Sequence, residues 1–252
     1  MFNEVKILAS HGRQYIKNLH TQSVSNLFRG RPVISKNFTA DEIIAVSELC
    51  PVKAIDSKSG SIDTGRCVFC KECSFMLPQK IVFTNDYRIA ANSREALIIS
   101  PGVENPVRLD EIKIRKEIRK LFKGALKLRE VSAGGDNSCE MELAATGNVN
   151  FDFGRFGIEF VASPRHADGI VITGPGSENM AEALEITYKA IPSPKIIILA
   201  GTDAISGGIF IGSPALDRRF IEQNYIDLYV PGNPVHPLTY INGVMDLLGI
   251  KG

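Results

Sequence analysis

"GIVITGPGSENMAEALEITYKAIPSPKIIILAG", Gly169 to Gly201, opens on a short apolar run, passes through a helical segment and closes on a second short apolar run. Apolar runs of this length, ended by Gly, Ser or Pro and without polar alternation, read as strands buried on both faces. Parallel neighbours need a crossover between them, and "SENMAEALEITYKAI" has the helical period to supply it. The rhythm continues outward. "GIEFVAS" precedes the stretch, and "IDLYVPG" and the helical "HPLTYINGVMDLL" follow it. From Val131 onward the chain is therefore predicted to be alternating α/β, folded as a doubly wound parallel sheet. Functional loops of such sheets lie beyond the carboxyl ends of the strands. Here those loops are "SPRHAD", "TGPGSEN", "GTDAISGGIF" and "PGNPVHP".

Upstream of this flavodoxin-like unit the character changes. From Arg108 to Glu130, "RLDEIKIRKEIRKLFKGALKLRE" places Ile114, Ile118, Leu121 and Phe122 at helical spacing among Lys and Arg. This predicts an amphipathic basic helix connecting two domains, with its apolar stripe packed on a neighbour. The charge excess leaves a membrane-surface or anionic-partner contact open as the alternative.

Nearer the N-terminus, "GRCVFCKECSFMLPQK" (Gly65 to Lys80) begins as an iron–sulfur ligand run: Cys67, Cys70 and Cys73 have C-x2-C-x2-C spacing. A bacterial ferredoxin run would continue with three residues and Cys-Pro, but this chain has Leu77-Pro78 there. A Cys-Pro does occur upstream, at Cys50-Pro51. In two-cluster ferredoxins the fourth Cys of each run ligates the other run's cluster, so Cys50 completes the set for Cys67, Cys70 and Cys73. Counting back from Cys50, the first run's other ligand positions are Ala40, Ile43 and Val46, all apolar. One cluster's ligands, Leu77 included, have been lost together, and one complete set remains for a single 4Fe–4S cluster. A structural zinc site is the rival reading, although zinc ribbons usually present two C-x2-C pairs. With "RGRPVI" entering and "IDTGRCVFC" and "KIVFTNDYRIA" as flanking short strands, the region resembles a single-cluster bacterial 4Fe–4S ferredoxin domain.

The expected organisation is an N-terminal extension (1–27), a ferredoxin-like α+β iron–sulfur domain (28–95), a connector with the basic helix (96–130) and the α/β domain (131–252). Composition agrees with a folded protein: of 252 residues, 29 are Lys or Arg and 28 Asp or Glu, for a net charge of +1. No nucleic-acid partner is expected from that balance. "MFNEVKILASHGRQY" lacks the apolar centre of a signal peptide, and no run approaches the roughly 18 apolar residues of a membrane span. A cytoplasmic chain is expected, and its five cysteines suit metal ligation in a reducing compartment better than disulfides.

Long motifs in order carry a second resemblance over roughly residues 120 to 249: "LREVSAGGDNSCEMEL", "RFGI" (Arg155 to Ile158), "SPRHAD" (Ser163 to Asp168), "NMAEAL" (Asn179 to Leu184) and "AISGGIF" (Ala204 to Phe210). They resemble the small subunit of group 4, energy-converting nickel–iron hydrogenases and the related B subunit of complex I. The resemblance implies an iron–sulfur electron-transfer subunit of a membrane-associated, hydrogenase-like or quinone oxidoreductase-like complex. It implies a hydrogenase large-subunit or complex I D-subunit-like partner, membrane-arm subunits reached through the complex, and a peripheral place on the inner face of the cell membrane. The alternative it leaves is a structural docking subunit with no through-going electron transfer. In either case no complete catalytic site is expected in this chain alone.

In that family four cysteines hold a proximal 4Fe–4S cluster. The corresponding positions here are Asp136, Cys139, Asp203 and Asn233. Carboxylate and amide oxygens are hard ligands, whereas cluster iron is held best by thiolates, so no second cluster is expected. Binding of a hard divalent ion stays open, as does a metal-free repacking in which Asp136 and Asp203 pair with Arg165 or His166. Cys139 alone reads as a small buried residue. The glycines of "ISGGIF" lack phosphate-loop spacing and read as turn residues, and His236 reads as a loop residue. The resemblance places Glu140, Arg165, His166, Ser206, Gly207 and Gly208 at the large-subunit contact. For Glu140 it implies proton handling, against the plainer account of an acidic residue at a helix N-terminus.

Overall fold

The computed structural model describes residues 2–12 and 14–250. Helix α1 (Phe2–His11) has no buried residue. The rest of the N-terminal extension does pack: Leu19 is fully buried, and its carbonyl accepts from the Tyr87 hydroxyl (3.1 Å) and Asn242 Nδ2 (3.0 Å).

Next come β1 (Pro32–Ile34), α2 (Ala40–Leu49), β2 (Ile62–Asp63), α3 (Glu72–Met76), β3 (Ile81–Phe83) and β4 (Ile98–Ile99). Strand β1 pairs antiparallel with β3, and β2 with β4, forming two short ribbons around a core that includes Ile34, Val46, Ile62 and Ile81. Helix α2 contains Ala40, Ile43 and Val46, the three positions counted back from Cys50 in the sequence. It is started by a capping box in which Thr39 Oγ1 accepts from Glu42 N (3.2 Å) and Glu42 Oε2 from Thr39 N (2.8 Å). Val46 is 1% exposed and Leu77 packs against the same core, so both side chains serve packing.

The connector differs from its sequence expectation. Helix α4 covers only Lys116–Phe122, and Leu126–Ser132 is a strand, β5. Ile114, Ile118 and Phe122 are buried as the period requires, but Leu121 is 52% exposed. Gly124 breaks the helical pattern, and pairing with strands on both sides decides the conformation of the segment beyond it.

The remaining elements are α5 (Ser138–Ala145), β6 (Ile158–Phe160), β7 (Gly169–Thr173), α6 (Glu178–Ala190), β8 (Ile196–Ala200), α7 (Thr202–Ser206), α8 (Arg219–Gln223), β9 (Leu228–Val230) and α9 (Pro237–Leu248). The five strands are parallel in the order β6-β5-β7-β8-β9. Counted along the chain this is 2-1-3-4-5, the flavodoxin-like doubly wound order. Alternation sends Leu126, Leu128, Val171, Ile198 and Leu228 to a face covered by α4, α5 and α9. It sends Val131, Ile170, Ile172, Ile197 and Leu199 to the face covered by α6, α7 and α8. The N-terminal region lies along the β9 edge, where Ala91 forms an antiparallel bridge with Tyr229.

Candidate metal centre

The structure brings Cys50, Cys67, Cys70 and Cys73 to one cavity, with walls that include Val52, Ala54, Ile55, Ile62 and Phe83. Cys50 closes the C-terminus of α2, and Cys73 stands in the first turn of α3. The chain turns the thiols inward by adopting left-handed backbone at Phe69 (φ 53°) and Lys71 (φ 74°), between successive cysteines. Two sulfurs already accept backbone hydrogen bonds: Ala54 N donates to Cys50 Sγ and Phe69 N to Cys67 Sγ, each at 3.3 Å. Burial pushes the Cys67 thiol well up. It pushes Cys73 up to about 11, with Cys70 and Cys50 adding to the effect. Deprotonated, these sulfurs need a cation among them. Among the described residues, no three His, Cys, Asp or Glu side chains form a group fitted to a single metal ion. Four soft donors around a largely apolar cavity, two of them already accepting N–H···S bonds, are a donor set of the kind that iron–sulfur clusters take.

Asp136, Cys139, Asp203 and Asn233 also share a pocket, a smaller one, with Gly135, Gly174, Thr202 and Gly232. Asp136 Oδ1 accepts from Ser138 N (2.9 Å) and Ser138 Oγ (2.6 Å), which hold its carboxyl below the usual range. Burial, with Asp136 nearby, raises the Asp203 carboxyl, whose Oδ1 is buried without a hydrogen-bond partner. Burial also pushes the Cys139 thiol up to about 12. Its sulfur lies so close to Gly201 that a Cβ there would fall 2.5 Å away.

The expected pairing of these carboxylates with Arg165 or His166 is not found: neither basic residue lines the pocket. Phe160 at the end of β6 and Gly169 at the start of β7 both stand opposite Leu128. "SPRHAD" therefore connects at the level of the amino end of β7, while the pocket collects loops from the carboxyl ends of β5, β7, β8 and β9. Arg165 and His166 are exposed on this separate turn.

Glu140, in the first turn of α5, accepts from Thr173 Oγ1 at 2.6 Å. Ser206 Oγ donates to Thr202 O (3.0 Å) and accepts from Gly208 N (3.2 Å), so Ser206, Gly207 and Gly208 form the turn that ends α7. Directly after it, Ile209, Phe210 and Ile211 are 65%, 46% and 49% exposed. His236 is the N-cap of α9, its Nδ1 accepting from Leu238 N at 3.1 Å.

Sequence reasoning missed Glu130 on β5, whose carboxyl is pushed up to about 7 by burial and by Glu140, against Arg129. It also missed the guanidinium of Arg218, which donates to the carbonyls of Pro175 (2.7 Å), Ala204 (2.8 Å) and Ile205 (3.0 Å). No local pattern announces either one, because each depends on packing between distant segments.

The parallel sheet, in the order 2-1-3-4-5, and the loops at the carboxyl ends of its strands make an α/β domain with one small pocket shared by four of those loops. Residues 137–247 match the family described as NADH ubiquinone oxidoreductase, 20 Kd subunit. The chain is 35% identical over 115 residues to a probable membrane-bound hydrogenase subunit of Pyrococcus furiosus, covering 46% of this chain and 69% of that one. It is 39% identical over 109 residues to the NADH-quinone oxidoreductase B subunit of Geotalea daltonii, covering 43% and 64%. It is 34% identical over 151 residues to formate hydrogenlyase subunit 7 of Escherichia coli, covering 59% of each. The chain belongs to this family of complex I-like and group 4 hydrogenase-like subunits. It spans less than two thirds of the length of the latter two relatives. Among the described residues, no helix is long and apolar enough to cross a membrane.

Proposed function

We propose that this chain is an iron–sulfur electron-transfer subunit of a membrane-associated, group 4 hydrogenase-related complex. In this reading a ferredoxin-like N-terminal domain holds one 4Fe–4S cluster through Cys50, Cys67, Cys70 and Cys73, and the proximal cluster of the family is missing. The supporting observation is the meeting of four cysteines, one of them remote in sequence, around one apolar cavity. When bound, the cluster supplies a centre that accepts and releases one electron at a time. The protein's own part is to exclude water with Val52, Ile55 and Phe83 and to hold the sulfurs with the backbone of Ala54 and Phe69.

At the second pocket, one thiol among two carboxylates and an amide does not fit a cluster, and no step is assigned to it. The exposed Ile209–Phe210–Ile211 segment favours a docking role beside the redox one, with a large-subunit-like partner covering it. Arg165 and His166 would meet that partner only if it also reached the turn before β7. Peripheral placement on the inner face of the cell membrane follows from such an assembly.

The test is iron and sulfide analysis with paramagnetic resonance on anaerobically purified, reduced protein. About four irons and one cluster signal per chain are expected. One zinc and no sulfide would overturn the cluster, and about eight irons would overturn the reading of the second pocket.

A further inference from the structure

The side chain of Thr202, 0% exposed, reaches out of the α/β domain and donates from Oγ1 to the carbonyl oxygen of Cys67 at 2.9 Å. Both partners are held from behind. Thr202 N donates to Gly232 O (2.8 Å), fixing it to the loop after β9. On the other side Cys67 N donates to Asp63 O (2.9 Å). The Asp63 carboxylate accepts from Gly65 N (2.9 Å) and is held by both terminal nitrogens of Arg94, at 2.8 and 2.5 Å. The approach of the two loops is close: a Cβ on Gly65 would lie 2.9 Å from Ile205 Cγ2 in α7. Thr202 also lines the pocket of Asp136, Cys139, Asp203 and Asn233. The loop that carries a vacated ligand position is thus the outer support of the cysteine loop.

We propose that Thr202 is a positioning residue for the N-terminal centre: its hydroxyl fixes the Cys67 carbonyl, and through it the loop that presents Cys67 and Cys70. The proposal rests on the reading that these cysteines hold a cluster. A hydroxyl hydrogen on the carbonyl offsets the partial negative charge of that oxygen beside a site that becomes more negative on reduction. Removing it disfavours the reduced form and leaves a buried acceptor unpaired.

Thr202→Val keeps the shape and removes the donor, and Thr202→Ser keeps the donor. In the full chain, purified anaerobically, Thr202→Val is expected to keep its iron content but show a lowered midpoint potential and an altered paramagnetic signal. Thr202→Ser should restore both. Thr202→Ala carries the same test if Thr202→Val does not fold. An iron-loaded valine or alanine variant with wild-type potential and signal overturns this proposal alone. A wild-type chain without iron overturns the cluster reading and this proposal with it.

Discussion

Ala91 and Tyr229 exchange both backbone hydrogen bonds, at 3.0 Å and 2.8 Å, so a residue of the N-terminal region pairs with the last strand of the sheet. An open β9 edge would present unpaired backbone groups, a template for association with other chains. Ala91 also contributes to the core on the α6–α8 face of the sheet. Residues 96–252 produced alone are therefore expected to aggregate or to sediment as oligomers, while the full chain does not. Analytical ultracentrifugation of the two at equal concentration checks this.

Cys50 and Cys70 line the same cavity although twenty positions separate them. If both are cluster ligands, Cys50→Ser should lose iron and the paramagnetic signal as severely as Cys70→Ser. A Cys50→Ser protein with wild-type iron content and signal would remove Cys50 from the ligand set.

Asp136→Cys, Asp203→Cys and Asn233→Cys together with Cys139 would place four thiols on one pocket whose glycine-shaped loops are still in place. Reconstitution with iron and sulfide is expected to raise the content from about four to about eight irons per chain. Any two of the three changes should not, since the remaining ligand would be a weak oxygen. Iron content of the folded triple variant decides; failure would mean that the loops no longer have cluster geometry.

Glu130 gives a pH-dependent expectation. Its folded pKa, about 7, lies above the ordinary carboxylate value, so the folded state binds the proton more tightly than the unfolded one. Relative to acid, stability is lost as pH rises from the ordinary value through about 7. Glu130→Gln should therefore gain stability relative to wild type as pH rises from 5 to 8, by about 1 kcal/mol once solvent screening of this partly exposed carboxyl is allowed for. Denaturant midpoints at the two pH values check the sign.

The strand-helix-strand run from Gly169 to Gly201 was legible because strands buried on both faces leave continuous apolar runs, and the observed sheet order follows from the crossovers between them. The run of Cys67, Cys70 and Cys73 was legible for a different reason, because its spacing is local chemistry, whereas Cys50 joined it only through the crossed-over pattern of two-cluster ferredoxins. The length of α4 was not, since Leu126 and Leu128 fit a helical stripe as well as a strand, and only pairing with β6 and β7 decides between them. Helix α2 had a local signal, Thr39 with Glu42, that a search for ligand positions passes over. The separation of Arg165 and His166 from Asp136 and Asp203 depends on how early β6 ends, a register property with no sequence mark.

Gly65 and the Ile205 side chain come together across little more than half the length of the chain, and this sets an order of events during synthesis. The cysteine loop is made first, and its support on α7 is roughly 140 residues away. At about 5–20 residues per second, the loop waits on the order of ten to thirty seconds before Ile205 and Thr202 exist to receive it. Throughout that interval Cys67 and Cys70 belong to a loop with one side still open. Any cofactor delivered then would meet a more accessible set of thiols than the finished fold presents, and completion of α7 would close the door behind it.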